Sequence, residues 1–145
     1  MSLFNAIAVS ASGLEAQRTR AELITENLAN ADTTRTPEGG PYRRKDAIFS
    51  ALPIAQSFSS VLAEASGATL DGVSVTEIAI DDAEPERRYL PGHPDADPQG
   101  YVAFPHINPA EEMVDLMSAS RGYQANVAAI SSVKDMIARS IDLFR

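Results

Sequence analysis

The 145-residue chain has no cysteine. That removes disulfide staples, zinc–thiolate sites and thiol nucleophiles, and it is compatible with work in an oxidising compartment. Histidine is scarce. His93 and His106 each lie beside a proline in a turn, with no further nitrogen or sulfur ligand nearby to complete a metal set. Positive charge is also short. Twelve Lys and Arg face 20 Asp and Glu, a net charge of −8, which argues against nucleic acid as the main partner because phosphate contacts need clustered cations. The one dense basic run is Arg43-Arg44-Lys45. No stretch approaches the ~20 apolar residues of a membrane span. No basic residue precedes Arg18, so residues 1–14 read as helix and not as a cleaved secretory signal.

What is present is 44% hydrophobic, enough for one domain with a core. The stretch from Asn108 to Phe144 organises the chain. Leu116, Tyr123, Val127, Ile130, Ile137, Ile141 and Phe144 step by four and three, with Ser120 and Lys134 at the remaining rungs. That is the seam of one long helix packed lengthwise on another. Met113, Met117, Val133 and Met136 widen the stripe. A second ladder runs from Ser2 to about Ala31 through Leu3, Ile7, Leu14, Ala21, Ile24 and Leu28, with Ser10 and Gln17 between. Ser2 is placed to cap it, and Gly13 costs about 1 kcal/mol of helix propensity but lets another backbone approach. Two helices cover only one side of each other. The remaining apolar surface predicts association with further protein.

Between the helices the pattern changes. Residues 33–46 carry Pro37, Gly39, Gly40 and Pro41, which forbid regular structure. Two readings stand there: a flexible linker, or an ordered loop whose Arg35, Tyr42, Arg43, Arg44 and Lys45 contact an acidic neighbour. Ile48, Phe49, Leu52 and Ile54 suggest a strand turning at Pro53. Phe58, Val61 and Leu62 suit a short helix or strand, and Gly67 to Gly72 a turn. Val73 and Val75, then Ile78 and Ile80, alternate with a one-residue slip, which predicts a bulge or a change of buried face. Asp81 to Gln99 reads as a long loop with four prolines. Gly100 to Pro105 reads as a strand with Val102 and Phe104 on one side and Tyr101 and Ala103 on the other. The predicted class is mainly α with a small β-rich insert. Residues 1–32 and 107–145 form a discontinuous helical core with its two helices paired in coiled-coil fashion. Residues 33–46 are an ordered loop and 47–106 a β-rich middle domain.

Chemistry is hard to find. Asp95, Asp97, Gln99 and Gly100 imitate the start of a calcium loop, but its twelfth place holds His106 where a bidentate Glu belongs. An Asx-turn leading into Gly100 explains them as well. Glu111 and Glu112 are explained as acids at a helix N-terminus, with Asn108 as N-cap, Pro109 in the first turn and Glu111 completing a capping box. No nucleophile–base set and no phosphate-binding glycine loop appears. The sequence therefore assigns no catalytic, cofactor or metal residue, and it does not read as an enzyme.

Several stretches carry a resemblance. Asn27-Leu28-Ala29-Asn30-Ala31 follows the first helix. The run Thr33-Thr34-Arg35-Thr36-Pro37-Glu38-Gly39-Gly40-Pro41-Tyr42-Arg43-Arg44-Lys45 comes next. Further on stand Tyr89-Leu90-Pro91-Gly92-His93-Pro94-Asp95-Ala96-Asp97 and Gly100-Tyr101-Val102. The last helix holds Glu112-Met113-Val114-Asp115-Leu116-Met117 and Ser120-Arg121-Gly122-Tyr123-Gln124-Ala125-Asn126-Val127. Together these resemble the bacterial flagellar basal-body rod protein family, closest to its proximal-rod members. Residues 50–72 match least.

The resemblance implies a structural part that assembles helically around the export channel, transmits torque and has no catalytic residue or cofactor. It implies other proximal rod proteins, copies of itself and the export-gate or MS-ring components as partners. It implies export by the flagellar type III apparatus without a cleaved signal, to a rod that spans the periplasm. The assembly interface expected from the stripes is Leu3, Ile7, Leu14, Ile24, Leu28, Met113, Leu116, Met117, Tyr123, Val127, Ile130, Met136, Ile137 and Ile141. The competing class is a soluble helical binding module or secretion chaperone. It predicts a stable dimer in solution with well-packed termini.

Overall fold

The computed structural model describes residues 3–53 and 71–143. The expectations for Ser2, Ile54, Phe58, Val61, Leu62, Gly67 and Phe144 lie outside those residues. In chain order the elements are helix α1 (Leu3–Ala29), strands β1 (Lys45–Pro53), β2 (Asp71–Ile80), β3 (Glu86–Tyr89) and β4 (Tyr101–Phe104), and helix α2 (Pro109–Asp142). The two long helices and the small β-rich middle match the expected class.

Both helices begin or end where the local chemistry says they must. Asn108 is extended, its side chain accepts from the Ala110 amide, and Pro109 opens α2 where a missing N–H costs nothing. The cap is made by Asn108 alone; among the described residues Glu111 returns no bond to it. At the same end of the molecule, Asn30 closes α1 by donating its side-chain amide to the Glu26 carbonyl at 2.9 Å. The hydroxyl of Thr33 then bonds Asn30 Oδ1 at 3.1 Å, turning the chain away.

The helices lie antiparallel. A Cβ on Gly13 would stand 2.9 Å from Asn126 Nδ2, and one on Gly122 would stand 3.1 Å from Gln17 Cδ. Arg20 meets Asp115, and Asn27 meets Glu112. The seam on α2 is therefore Glu112, Ala119, Asn126 and Val133, every seventh residue, with Leu116, Ile130 and Ile137 beside it. Here the structure corrects the expected phase. Val127 and Lys134 are exposed rungs, and Ile141 is exposed near the end of α2. The physical reason is steric. Gly13, Ala16, Ala119 and Gly122 let the backbones come close, so the helices meet there on small residues and leave Met113, Met117, Tyr123 and Val127 outside. The close approach expected at Gly13 is observed.

α1 is the central element. It carries α2 on one side and the β1–β2 hairpin on another, and among the described elements the hairpin touches α1 but not α2. Accordingly Ala16, Leu23, Ile24 and Asn27 are buried on α1. The longer α2 buries only Glu112, Ala119 and Val133. The pairing of β1 with β2 shifts register where Ile48 opposes Glu77 and Phe49 opposes Val75. Thr76 is the extra residue, a bulge at the slip between Val75 and Ile78.

In the second sheet Val102 and Phe104 are buried, Tyr101 is exposed and Ala103 is half-buried, the expected alternation. Its partner β3 corrects the reading of 81–99 as loop alone. All four residues of β3 are exposed, so no hydrophobic alternation announces it. Cross-strand contacts hold it instead. Tyr89 meets Tyr101 edge-on at 5.4 Å between centroids, and the Arg88 guanidinium lies 4.7 Å over Phe104. Gly100 has φ of +84°, and a Cβ there would strike Tyr89 at 2.8 Å, so the turn into β4 requires glycine.

Candidate functional site

Where the end of α1, the start of β1 and the first turn of α2 meet, a polar cluster is buried. Its centre is Asn27, with no exposed surface. Its Nδ2 donates to the Lys45 carbonyl at 2.8 Å and to Glu112 Oε2 at 3.3 Å. Its Oδ1 accepts from the Lys45 amide at 2.9 Å and from the Tyr42 hydroxyl at 3.0 Å. All four hydrogen-bonding positions of the amide are thus used. Two of the bonds go to the same peptide residue, so the side chain of Asn27 stands in for a neighbouring strand at the edge of β1. Asp81 bonds the Arg44 carbonyl on the opposite side at 2.8 Å.

Glu112 supplies the charge. It is 2% exposed, and Arg44 Nε donates to its Oε1 at 2.6 Å. That hydrogen bond raises the guanidinium pKa further above its ordinary value. Arg44 also reaches Asp46 at 3.4 Å and Asp115 at 3.7 Å, and Asp115 meets Arg20 at 3.7 Å. Lys45 pairs with Glu26. A buried carboxylate is costly unless it is both paired and hydrogen-bonded. Here it is both, through Arg44 just before β1 and Asn27 on α1. Burial pushes the Tyr42 phenol up to about 12, helped by the neighbouring Glu26 carboxylate. The arrangement clamps; it offers no free nucleophile or base.

The residues proposed for loop contact divide accordingly. Tyr42 is buried in the clamp, and Arg44 and Lys45 are engaged within the chain. Arg43 and Arg35 remain at the surface, Arg43 paired with the exposed Asp82 at 3.0 Å and Arg35 with the half-buried Asp95 at 3.6 Å. The loop 33–46 is ordered by its own bonds: Tyr42 N–H to the Thr33 carbonyl at 3.1 Å and Thr36 N–H to the Gly40 carbonyl at 2.9 Å. Asp95 accepts from Thr34 at 2.8 Å, and Asp97 Oδ1 accepts from the Gln99 and Tyr101 amides at 2.9 Å each. Asp97 thus makes the turn into Gly100 that the Asx reading anticipated, while Asp95 ties its loop to the 33–46 segment. His93 Nδ1 accepts from the Asp95 amide at 3.2 Å, an ordinary loop histidine. Among the described residues no group of three acids or histidines stands together as a metal site, and no helix is long and apolar enough to cross a membrane.

Of the expected interface stripe, Ile24 is buried and Ile7, Leu14, Leu28, Leu116, Ile130 and Ile137 are half-buried between elements. Leu3, Met113, Met117, Tyr123, Val127, Met136 and Ile141 are exposed, as are Val114 and Leu143. The residues that sequence reasoning missed are Asn27 and Glu112. Glu112 had been explained as a helix-end acid. The available signal was its place in the series Glu112, Ala119, Asn126, Val133, a seven-residue spacing of small and polar side chains.

Both helices match profiles of known proteins. Residues 7–35 match the family described as flagella basal body rod protein, and residues 99–143 match the C-terminal family of flagellar basal body rod FlgEFG proteins. The two-helix frame with its β-rich middle is therefore that of a flagellar basal-body rod protein. The chain is 42% identical to the flagellar basal-body rod protein FlgC of Bacillus subtilis, over 99% of both chains. It is 40% identical to FlgC of Borreliella burgdorferi over 100% of this chain and 99% of that one, and 38% identical to FlgC of Escherichia coli O157:H7 over 99% and 98%. The chain belongs to the FlgC family of flagellar basal-body rod proteins, structural subunits of the rod.

Proposed function

We propose that the chain is a subunit of the proximal rod, built helically around the export channel and transmitting torque. The carrying observation is α2. It is 34 residues long, and Met113, Val114, Met117, Tyr123, Val127, Met136 and Ile141 are all exposed along it. Apolar surface on this scale marks a protein–protein interface. Other rod proteins and copies of the same chain are its partners, and the MS ring or export gate meets it at the rod's base. In this reading α1 and α2, residues 1–32 and 107–145, form the helical core, paired lengthwise as in a coiled coil. Residues 47–106 form the outer β-rich lobe, and the clamp fixes the angle between the two. Arg35 and Arg43, exposed beside their partners Asp95 and Asp82, are the loop residues placed to reach a neighbour's acidic surface. Export without a cleaved signal and residence in the periplasm-spanning rod follow from the same assignment.

The test is complementation. A flagellated host lacking its own homologous subunit receives this chain, and basal bodies are isolated. Restored swimming with the chain in the rod is the expected result. Basal bodies that form and turn without incorporating it overturn the assignment. Hydrogen exchange adds a second measure. Both helix arms of the dilute monomer exchange partly and become protected on assembly; full protection of both arms in the monomer contradicts the assembly role of α2.

A further inference from the structure

One side of the helix pair carries a groove of about 630 Å³. Its floor is small, Ala21 and Ala119; its walls include Leu116 and Tyr123; Arg18 and Glu22 stand on its rim. The rim pair bonds across one helical turn at 2.9 Å and is more than half exposed on both sides. At the far end of the molecule the pairing of Gly13 with Asn126 continues until Met136 comes opposite Leu3, the first described residue of α1. The last stretch of α2, residues 135–142, begins opposite Phe4 and Leu3 and overhangs them. On this overhang Met136 is 48% exposed and Leu143, just beyond the helix, 86%. Seven positions separate them, so they share one helical face. Asp135 and Arg139 lie along one edge of that face, and neither makes an ion pair among the described residues.

We infer that the groove of one copy receives the α2 overhang of the next. The inference rests on the rod-subunit reading and names the contact between copies. Three features on the two surfaces agree with each other. An apolar knob at Met136 and another at Leu143 meet a groove floored by alanine, the pairing of large on small that close helix packing needs. The charges are complementary in a parallel alignment: Arg18 then Glu22 on the rim, Asp135 then Arg139 on the overhang, each pair four residues apart. The same alignment brings Leu143 opposite Glu26, one position beyond Thr25, the last groove residue of α1. Groove and overhang lie at different places on one chain, so the contact is head-to-tail. Such a contact propagates into a helical array where its rotation does not close a ring.

The missing cysteine makes the contact directly testable. Thr25→Cys and Leu143→Cys chains, each with a single thiol, are co-expressed in the host used for complementation. Isolated basal bodies are then treated with a short bis-maleimide. Dimers joining one chain of each kind are expected to predominate over dimers of either kind with itself. Exchanging the rim charges, Arg18→Glu with Glu22→Arg, keeps the pair within α1 and is expected to lower the mixed dimer at least fivefold. Adding Asp135→Arg with Arg139→Asp to the other chain is expected to restore it. Equal yields of like and mixed dimers, or a mixed dimer indifferent to the charge exchange, overturn the assignment. If the unsubstituted chain restores swimming and no mixed dimer forms, the groove assignment alone falls. If the unsubstituted chain does not enter the rod, the rod reading falls and takes this contact with it.

Discussion

Replacing Asn27 with Ala removes four hydrogen bonds from a site with no access to water. The Tyr42 hydroxyl and one oxygen of Glu112 lose a buried partner, and the Lys45 peptide loses two. An unsatisfied buried group costs about 1–3 kcal/mol. Lys45 is half-buried, so water partly replaces its bonds, and the expected loss is about 3–5 kcal/mol. A domain of ordinary stability has roughly 5–15 kcal/mol in all, so the variant should be close to unfolding at room temperature. Asn27→Asp separates hydrogen bonding from shape. The new carboxylate still accepts from Tyr42 and Lys45 but sits where Nδ2 lay 3.3 Å from Glu112 Oε2, setting two acids against each other. Its deficit should therefore shrink as the pH falls toward about 4, where carboxylates take up protons, while the deficit of Asn27→Ala should not. Urea unfolding followed by circular dichroism across that range reads both. An Asn27→Ala cost below about 1 kcal/mol, or an Asn27→Asp deficit that ignores pH, would show that the cluster is incidental to the fold.

The Tyr42 phenol, ordinarily near 10 and here about 12, makes the fold sensitive to alkali. Between those values the unfolded chain releases the proton and the folded chain keeps it. The stability is complete below pH 10 and is lost as pH rises through 12. Phenolate absorbance should show one of four tyrosines titrating late, and Tyr42→Phe should abolish that late step. Gly13→Ala should be nearly neutral, because about 1 kcal/mol of helix propensity offsets the displacement of Asn126. Gly13→Leu should force the helices apart at a cost of about 1–3 kcal/mol, measured by the same urea titration. Arg43→Glu loses only an exposed pair and should leave the circular dichroism and the unfolding midpoint unchanged while impairing rod assembly; unimpaired motility would leave the loop no role in contact. Arg44→Glu is a different experiment. It sets a second acid against Glu112 and should cost about 3–5 kcal/mol, so a motility defect in that variant says nothing about contacts between subunits.

The groove, the clamp and the helix ends differ in how far the amino-acid order alone revealed them. Asn108 and Pro109 announced the start of α2, and the slip between Val75 and Ile78 the bulge in β2. Each is a local matter, decided by bonds between residues a few positions apart. The presence of two long striped helices was equally legible, because periodicity needs only one strand of text. The strand β3 was not. Its residues are polar and exposed, and it exists because β4 supplies a partner and two aromatic contacts. The rotation of the helices about their axes was not legible either. Sequence periodicity shows which residues share a face, but the closest approach is chosen by the smallest side chains on both helices at once. Gly13 and Gly122, opposite Asn126 and Gln17, made that choice and turned Met113, Met117, Tyr123 and Val127 outward. Asn27 and Glu112 looked like an unremarkable polar residue and a helix-end acid; they are 85 residues apart in sequence. Only the tertiary structure puts them together with Arg44 away from water, where a charge has to be matched and every hydrogen bond counted.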